Sequence, residues 1–247
     1  MDALMFSIYY AAIVNCPPAQ HHRFATGGRD EKLRRYGCAI KRILAEPDVL
    51  TSSDIMPLQA LTIYLYHSQS YEDQSEYLLI GTALRMAQGL GLHRCGQSSK
   101  MSPFEIEMRR RLWWNIYRLE RRIAENYVSN PFAIEPHFDT LPPSNVNDSD
   151  ISPEDKSFPV SRTGRTEMTF CLTDFAISSL TFSVLKQLPS LGSAPHERKT
   201  SMIRDALKKL TEEHLQFCNP ANEFDFMIIT HAKLSLVCTS PPLADSK

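Results

Sequence analysis

The stretch Ser102–Glu125, SPFEIEMRRRLWWNIYRLERRIAE, specifies a helix from its first turn to its last. Ser102 is placed to accept the orphan amide of Glu105, and Glu105 to reach back to the amide of Ser102, so S-P-F-E reads as a capping box. Pro103 falls at the first helical position, where its missing N–H costs nothing. Met101 and Ile106 flank that cap as a hydrophobic staple. Beyond it, Phe104, Met108, Leu112, Ile116, Leu119 and Ile123 form one apolar stripe, and Ile106, Trp113, Tyr117 and Ala124 form a second beside it. Two apolar arcs predict two packing partners, and a helix this long spans about 36 Å, enough for the central strut of a helical domain. Arg110, Arg111, Arg118, Arg121 and Glu107 take the remaining face, which reads as solvated or structural. Arg109 and Glu120 lie between the arcs, and each needs a polar partner there. Trp113 falls on an apolar arc as a packing anchor. Trp114 stands at the edge of the charged face, where it packs on a neighbour or lines a pocket.

Outward from this helix the same period recurs. Helices are predicted over residues 3–15, 30–45, 54–67, 75–90, 103–125, 166–187, 196–217 and 223–237, and no alternating strand pattern bounded by hairpin turns is present. The fold is therefore all-α, a multi-helix bundle with one long loop rich in Pro, Asp, Asn and Ser over 131–163. That loop divides the chain into an N-terminal helical block, 1–130, and a C-terminal block, 164–239, followed by a polar tail, 240–247. Pro and Gly punctuate the joins, Pro189 and Pro220 among them. In L-G-L-H, Gly91 is expected to take a left-handed helix cap and Leu92 to fold back onto the last turn.

With 247 residues, 43% apolar and 22% charged, the chain has the composition of an ordinary globular protein. A net charge of −1 and a pI near 6.7 give no overall attraction to phosphate. The basic run at 109–111 with Arg118, Arg121 and Arg122 is interleaved with Glu105, Glu107, Glu120 and Glu125, which supply partners one turn away. The six cysteines are widely spaced, with no C-x-x-C pair, and read as thiols in a reducing compartment. The apolar start, residues 3–14, is too short to span a bilayer and lacks the basic flank of a secretion signal.

Motifs of catalysis are missing: there is no G-x-S-x-G turn, phosphate-binding glycine loop, G-x-G-x-x-G or H-E-x-x-H. The acidic stretch NVNDSDISPED from Asn145 fails as a calcium loop, since Asp150 stands where Gly is required and Lys156 where a bidentate Glu is. Asx-turns account for its composition. His21, His22 and His93 have no carboxylate or thiol at ligand spacing and read as surface or capping residues. The sequence thus offers no catalytic, cofactor-binding or metal residues. Its structural determinants are Ser102, Glu105, Arg109, Trp113, Trp114 and Glu120.

Five stretches carry a family resemblance: LQALTIYL from Leu58, LLIGTALRMAQGLGLHR from Leu78, SPFEIEMRRRLWW from Ser102, YRLERRIAE from Tyr117 and FDTLPPSNVNDSDISP from Phe138. In order and spacing the chain resembles the fungal-specific transcription factor domain, the middle homology or xylanolytic-activator-type region of six-cysteine zinc-cluster regulators. Departures are Leu119-Glu120-Arg121-Arg122 where the family commonly has Leu-Asp-x-Arg, Asn126 to Ser129 where it has a Gly, and the absence of the family's C-x-x-C zinc module. The helical region in the family also continues past Val237, so that the resemblance implies a truncated C-terminal block, 164–239. The resemblance implies a non-enzymatic transcription-regulatory domain, without zinc of its own, in the nucleus. It would act through partners in the transcription machinery, a related regulator or a second copy of itself, or through a small-molecule effector, with no direct nucleic-acid or membrane contact. A stand-alone sensor or interaction module is the alternative, and a metal-dependent helical enzyme using His21, His22 or His93 the remoter one.

Overall fold

A computed structural model of the chain describes residues 2–23, 28–68, 74–95, 101–127, 138–191, 196–216 and 218–238. Among the described residues all regular structure is helical: α1 (Asp2–Val14), α2 (Gly28–Leu44), α3 (Pro47–Leu50), α4 (Met56–His67), α5 (Gln74–Gly89), α6 (Pro103–Tyr127), α7 (Thr169–Leu191), α8 (His196–Leu210) and α9 (Glu223–Cys238). Single 3₁₀ turns cover Pro18–Arg23 and Asp148–Asp150, and a π turn, Thr211–Leu215, extends α8. The 3₁₀ turns and α3 were not foreseen, because segments of one turn carry no hydrophobic period.

The helix ends follow local chemistry. At α4, the Met56 N–H donates to Asp54 Oδ1 at 3.0 Å, and at α9 the Phe224 and Asp225 amides both donate to Asn222 Oδ1 at 3.1 Å. After α5, Gly91 adopts φ +73°. The Leu92 N–H then reaches Ala87 O at 2.9 Å and the Gly91 N–H reaches Gln88 O at 3.0 Å, the paired bonds of a Schellman cap. Leu92 is buried beneath it. Pro189, read from sequence as a break, lies inside α7. It removes a single hydrogen bond, to the carbonyl of Leu185, and the helix ends two residues later.

Two compact units are present, Met1–Cys95 with Pro136–Thr140, and Gly96–Glu135 with Leu141–Lys247. In the first unit α1 packs on α2 and α4, and α4 on α5, around Ile40, Leu58, Leu61, Leu65 and Leu84. After the Gly91 cap this unit is closed by its own distant segment. The Asp139 N–H donates to His93 O at 3.1 Å, Thr140 Oγ1 to Leu92 O at 2.6 Å and the Cys95 N–H to Asp139 Oδ1 at 2.6 Å. In the second unit α7 packs against α6, α8 and α9, with Ile177, Leu210, Leu215, Ile228 and Ala232 as its core.

Candidate functional site: the buried face of the central helix

The start of α6 is fixed by reciprocal bonds, the Ser102 N–H donating to Glu105 Oε2 at 2.8 Å and the Glu105 N–H to Ser102 Oγ at 3.2 Å. These bonds to Ser102 hold the Glu105 carboxyl below the usual carboxylate range. The charge of Arg109, one turn further along the helix, lowers it further.

Of the two readings the sequence left for the charged face of α6, solvated or structural, the second holds for its most buried members. Glu107, Arg118 and Arg121 are not solvated: Glu107 is 0% exposed, Arg118 4% and Arg121 3%. Their partners come from segments far away in sequence, where a helical wheel cannot see them. Asp174 on α7 receives Arg118 Nη1 on Oδ2 at 2.8 Å and Arg121 Nη2 on Oδ1 at 2.9 Å. His231 Nε2 on α9 lies 3.2 Å from Oδ1 of the same carboxylate, and Arg121 Nε donates to Ser178 Oγ at 3.0 Å. Arg118 and Arg121 stand one turn apart on α6, so each guanidinium meets its own oxygen of a single acid. Burial by itself would raise the Asp174 carboxyl. The His231 hydrogen bond and the two arginine charges outweigh it and hold the group at about 2. Three helices are thereby joined at one ion.

Toward its N-terminal half the same face fastens the loop that follows. Glu107 accepts the Ser144 N–H at 3.1 and 3.2 Å on its two oxygens and Arg111 Nε at 3.2 Å. Arg111 Nη1 in turn reaches Asp148 Oδ1 at 2.7 Å, and Trp114 Nε1 donates to Leu141 O at 3.0 Å. Residues 107, 111, 114 and 118 recur at helical spacing, so one stripe of α6 holds first the loop and then α7. Arg110 lies with its guanidinium 5.0 Å from the centre of the Phe158 ring. Within the acidic stretch the polar groups satisfy one another. The Asn147 N–H bonds Asp150 Oδ2 at 2.8 Å, and Asn145 Nδ2 donates to the carbonyls of Arg162 and Gly164 at 2.8 and 2.9 Å.

Trp113 and Trp114 are both buried, at 1% and 6% exposure. Trp114 packs edge-on to Tyr117 at 5.3 Å and tilted to Phe175 at 5.8 Å, and it borders a cavity of about 190 Å³. Burial pushes the Tyr117 phenol up to about 12, against a hydrogen bond from Ser179 that lowers it. Arg109 is half-buried, its pKa lowered by that burial and raised by the charge of Glu105. Glu120 is 8% exposed, and burial alone raises its carboxyl. Arg109 and Glu120 lie three turns apart and are not brought together. Glu120 makes no ion pair among the described residues, so burial favours its neutral form. The sequence missed Asp174, although a signal existed: it is the only charged residue between Thr169 and Leu185.

Among the described residues no three His, Cys, Asp or Glu side chains come together to hold a metal, and Cys16, Cys38, Cys95, Cys171 and Cys218 form no disulfide. The side chains of His21 and His22 lie outside the described residues. No described helix is long and apolar enough to cross a membrane.

The model of the fungal specific transcription factor domain matches residues 3–219. The chain belongs to that family. It is 32% identical over 244 residues to the transcriptional regulator AacuB of Aspergillus aculeatus, an alignment covering 96% of this chain and 33% of that protein. It is 31% identical to the pyriculol/pyriculariol biosynthesis cluster transcription factor 1 of Pyricularia oryzae, over 90% of this chain and 32% of the relative. It is also 31% identical to the aurofusarin cluster transcription factor aurR2 of Gibberella zeae, over 96% of this chain and 36% of the relative. The chain thus spans about a third of the length of these curated relatives. No solved structure matches it. Within this transcription-regulatory domain, the stretches that first suggested the family meet in space: LGLHR closes onto Asp139 and Thr140, and the α6 stripe onto Leu141, Ser144 and Asp148.

Proposed function

We propose that the chain is the regulatory body of a nuclear transcription factor that controls a biosynthetic gene cluster, and that it works through protein contacts or a bound effector rather than by touching DNA. The observation that carries this reading is the family match over residues 3–219 together with cluster regulators that align over 90% or more of the chain. The geometry supports the second half of it. Three arginines of α6, Arg111, Arg118 and Arg121, are engaged by Glu107, Asp148 and Asp174, and a net charge of −1 adds no attraction to phosphate.

The test joins the full chain to an unrelated DNA-binding module and measures a reporter behind that module's site, while the gene is deleted in its own host and transcripts are profiled. Expected are a change in reporter output relative to the module alone and a change confined to one contiguous set of genes. An unaltered reporter together with an unaltered transcript profile would end the proposal.

A further inference from the structure

We propose that the cavity beside Trp114 is a binding site for a small hydroxylated aromatic carboxylate, whose ring lies against Trp114 and Phe175 and whose acid group meets Lys209. This deepens the regulatory reading above, on which its biological meaning rests, by naming the chemistry of an effector.

Size limits the ligand first. The cavity is about 190 Å³. An apolar cavity of about 150 Å³ is enough to admit benzene, so one six-membered ring with its substituents at the mouth fills the space, and a drug-sized molecule is too large. The walls decide the ring type. Trp114 on α6 lines it together with Leu172, Phe175, Ala176 and Leu180 on α7, and a wall that includes two aromatic side chains favours an aromatic guest in offset or edge contact. These walls are fixed before anything binds: Trp114 is held by its bond to Leu141 O at 3.0 Å and Phe175 is 1% exposed. Little ordering is then needed on binding. The polar wall residue, Ser179, already bonds Tyr117, so the guest's polar groups are directed outward.

At the mouth stand Lys209 from α8 and Glu213 from the π turn that follows. The neighbouring Lys208 pairs with Glu212 at 3.9 Å, whereas Lys209 makes no hydrogen bond or ion pair among the described residues. A cation at the rim of an apolar chamber selects an anionic head group, and the nearby carboxylate accepts a hydroxyl proton. Ala176 is the small residue in a wall of large ones. A bulkier side chain there would fill the chamber and remove the loss of contact that a void entails.

Calorimetric titration of the purified full chain with meta-hydroxybenzoate, whose two polar groups can share one side of the ring, and with phenol as the acid-free control, tests the site. The acid is expected to bind and phenol to bind about fivefold more weakly, the factor of an exposed ion pair. Lys209→Met should weaken the acid by about fivefold and leave phenol unchanged. Ala176→Phe should abolish binding of both. Absence of binding by meta-hydroxybenzoate overturns the proposal, as does binding that Lys209→Met leaves unaltered or that persists in a folded Ala176→Phe chain. Should Ala176→Phe not fold, the exposed Lys209 variant and the phenol comparison still decide. Binding together with an unaltered reporter and an unaltered transcript profile would sink the regulatory reading and leave the site standing, and an altered reporter without binding would do the reverse.

Discussion

Asp174 is ionised inside a protein core, and its charge state is therefore tied to folding. Its carboxyl is held at about 2 against an ordinary 3.8. A folded-state value lowered in this way contributes stability that is complete above the ordinary value and is lost as pH falls from about 4 toward 2. The size is about 2 kcal/mol. Asp174→Asn removes that contribution and also leaves Arg118 and Arg121 buried without their counter-charge, at a cost of about 3–5 kcal/mol. Denaturant titrations at neutral pH should show a large drop in the unfolding midpoint, and the acid limb of the wild-type stability profile should flatten in the variant. An Asp174→Asn chain as stable as the wild type at pH 7 would mean that the ion pairs are made without net benefit. Sequence reasoning left Arg118 and Arg121 either solvated or structural because it counted only neighbours one turn away. The partner lies 53 and 56 residues further on, and no period within one helix reports such a distance.

Helix ends are set within four residues, and this is where the sequence was most legible. The Ser102 and Glu105 bonds at the start of α6 and the Gly91 cap after α5 follow from groups adjacent in the chain, and both lie where the residue types put them. Each supports a measurement. Ser102→Ala should destabilise the chain by about 1 kcal/mol, while Ser102→Asp, which keeps an acceptor for the Glu105 amide, should cost much less. Gly91→Ala forces a side chain into a left-handed backbone at φ +73° and should cost about 1–2 kcal/mol. Thermal unfolding of the three variants side by side checks both: equal melting of Ser102→Ala and Ser102→Asp would show that the hydroxyl bond is not what starts the helix. Elements of a single turn were illegible for the opposite reason. The 3₁₀ turn at Asp148–Asp150 is held by Asn147, Glu167 and Arg162, contacts that only the folded loop supplies.

At the scale of the molecule, the all-α class was written in the repeated helical period, whereas the use of charge was not. A linear count finds a cluster of arginines on α6 and leaves open whether they face phosphate or protein. The folded chain answers through exposure: Arg118 and Arg121 are 4% and 3% accessible, and Arg111 is shared between Glu107 and Asp148. Neutralising a phosphate needs a cation that reaches solvent, and each such contact steepens the loss of affinity with salt by roughly one power of concentration. The purified chain should accordingly leave random-sequence duplex DNA unretarded at about 0.15 M salt, where non-specific binders with several phosphate contacts still associate at micromolar levels. Lowering the salt to about 0.05 M strengthens any such binding by orders of magnitude when many phosphates are involved, so retention there is the stricter test. A steep salt-dependent shift would show that arginines outside the Asp174 cluster form a working basic surface, and the division between a regulatory body and a separate DNA reader would then have to be abandoned for this chain.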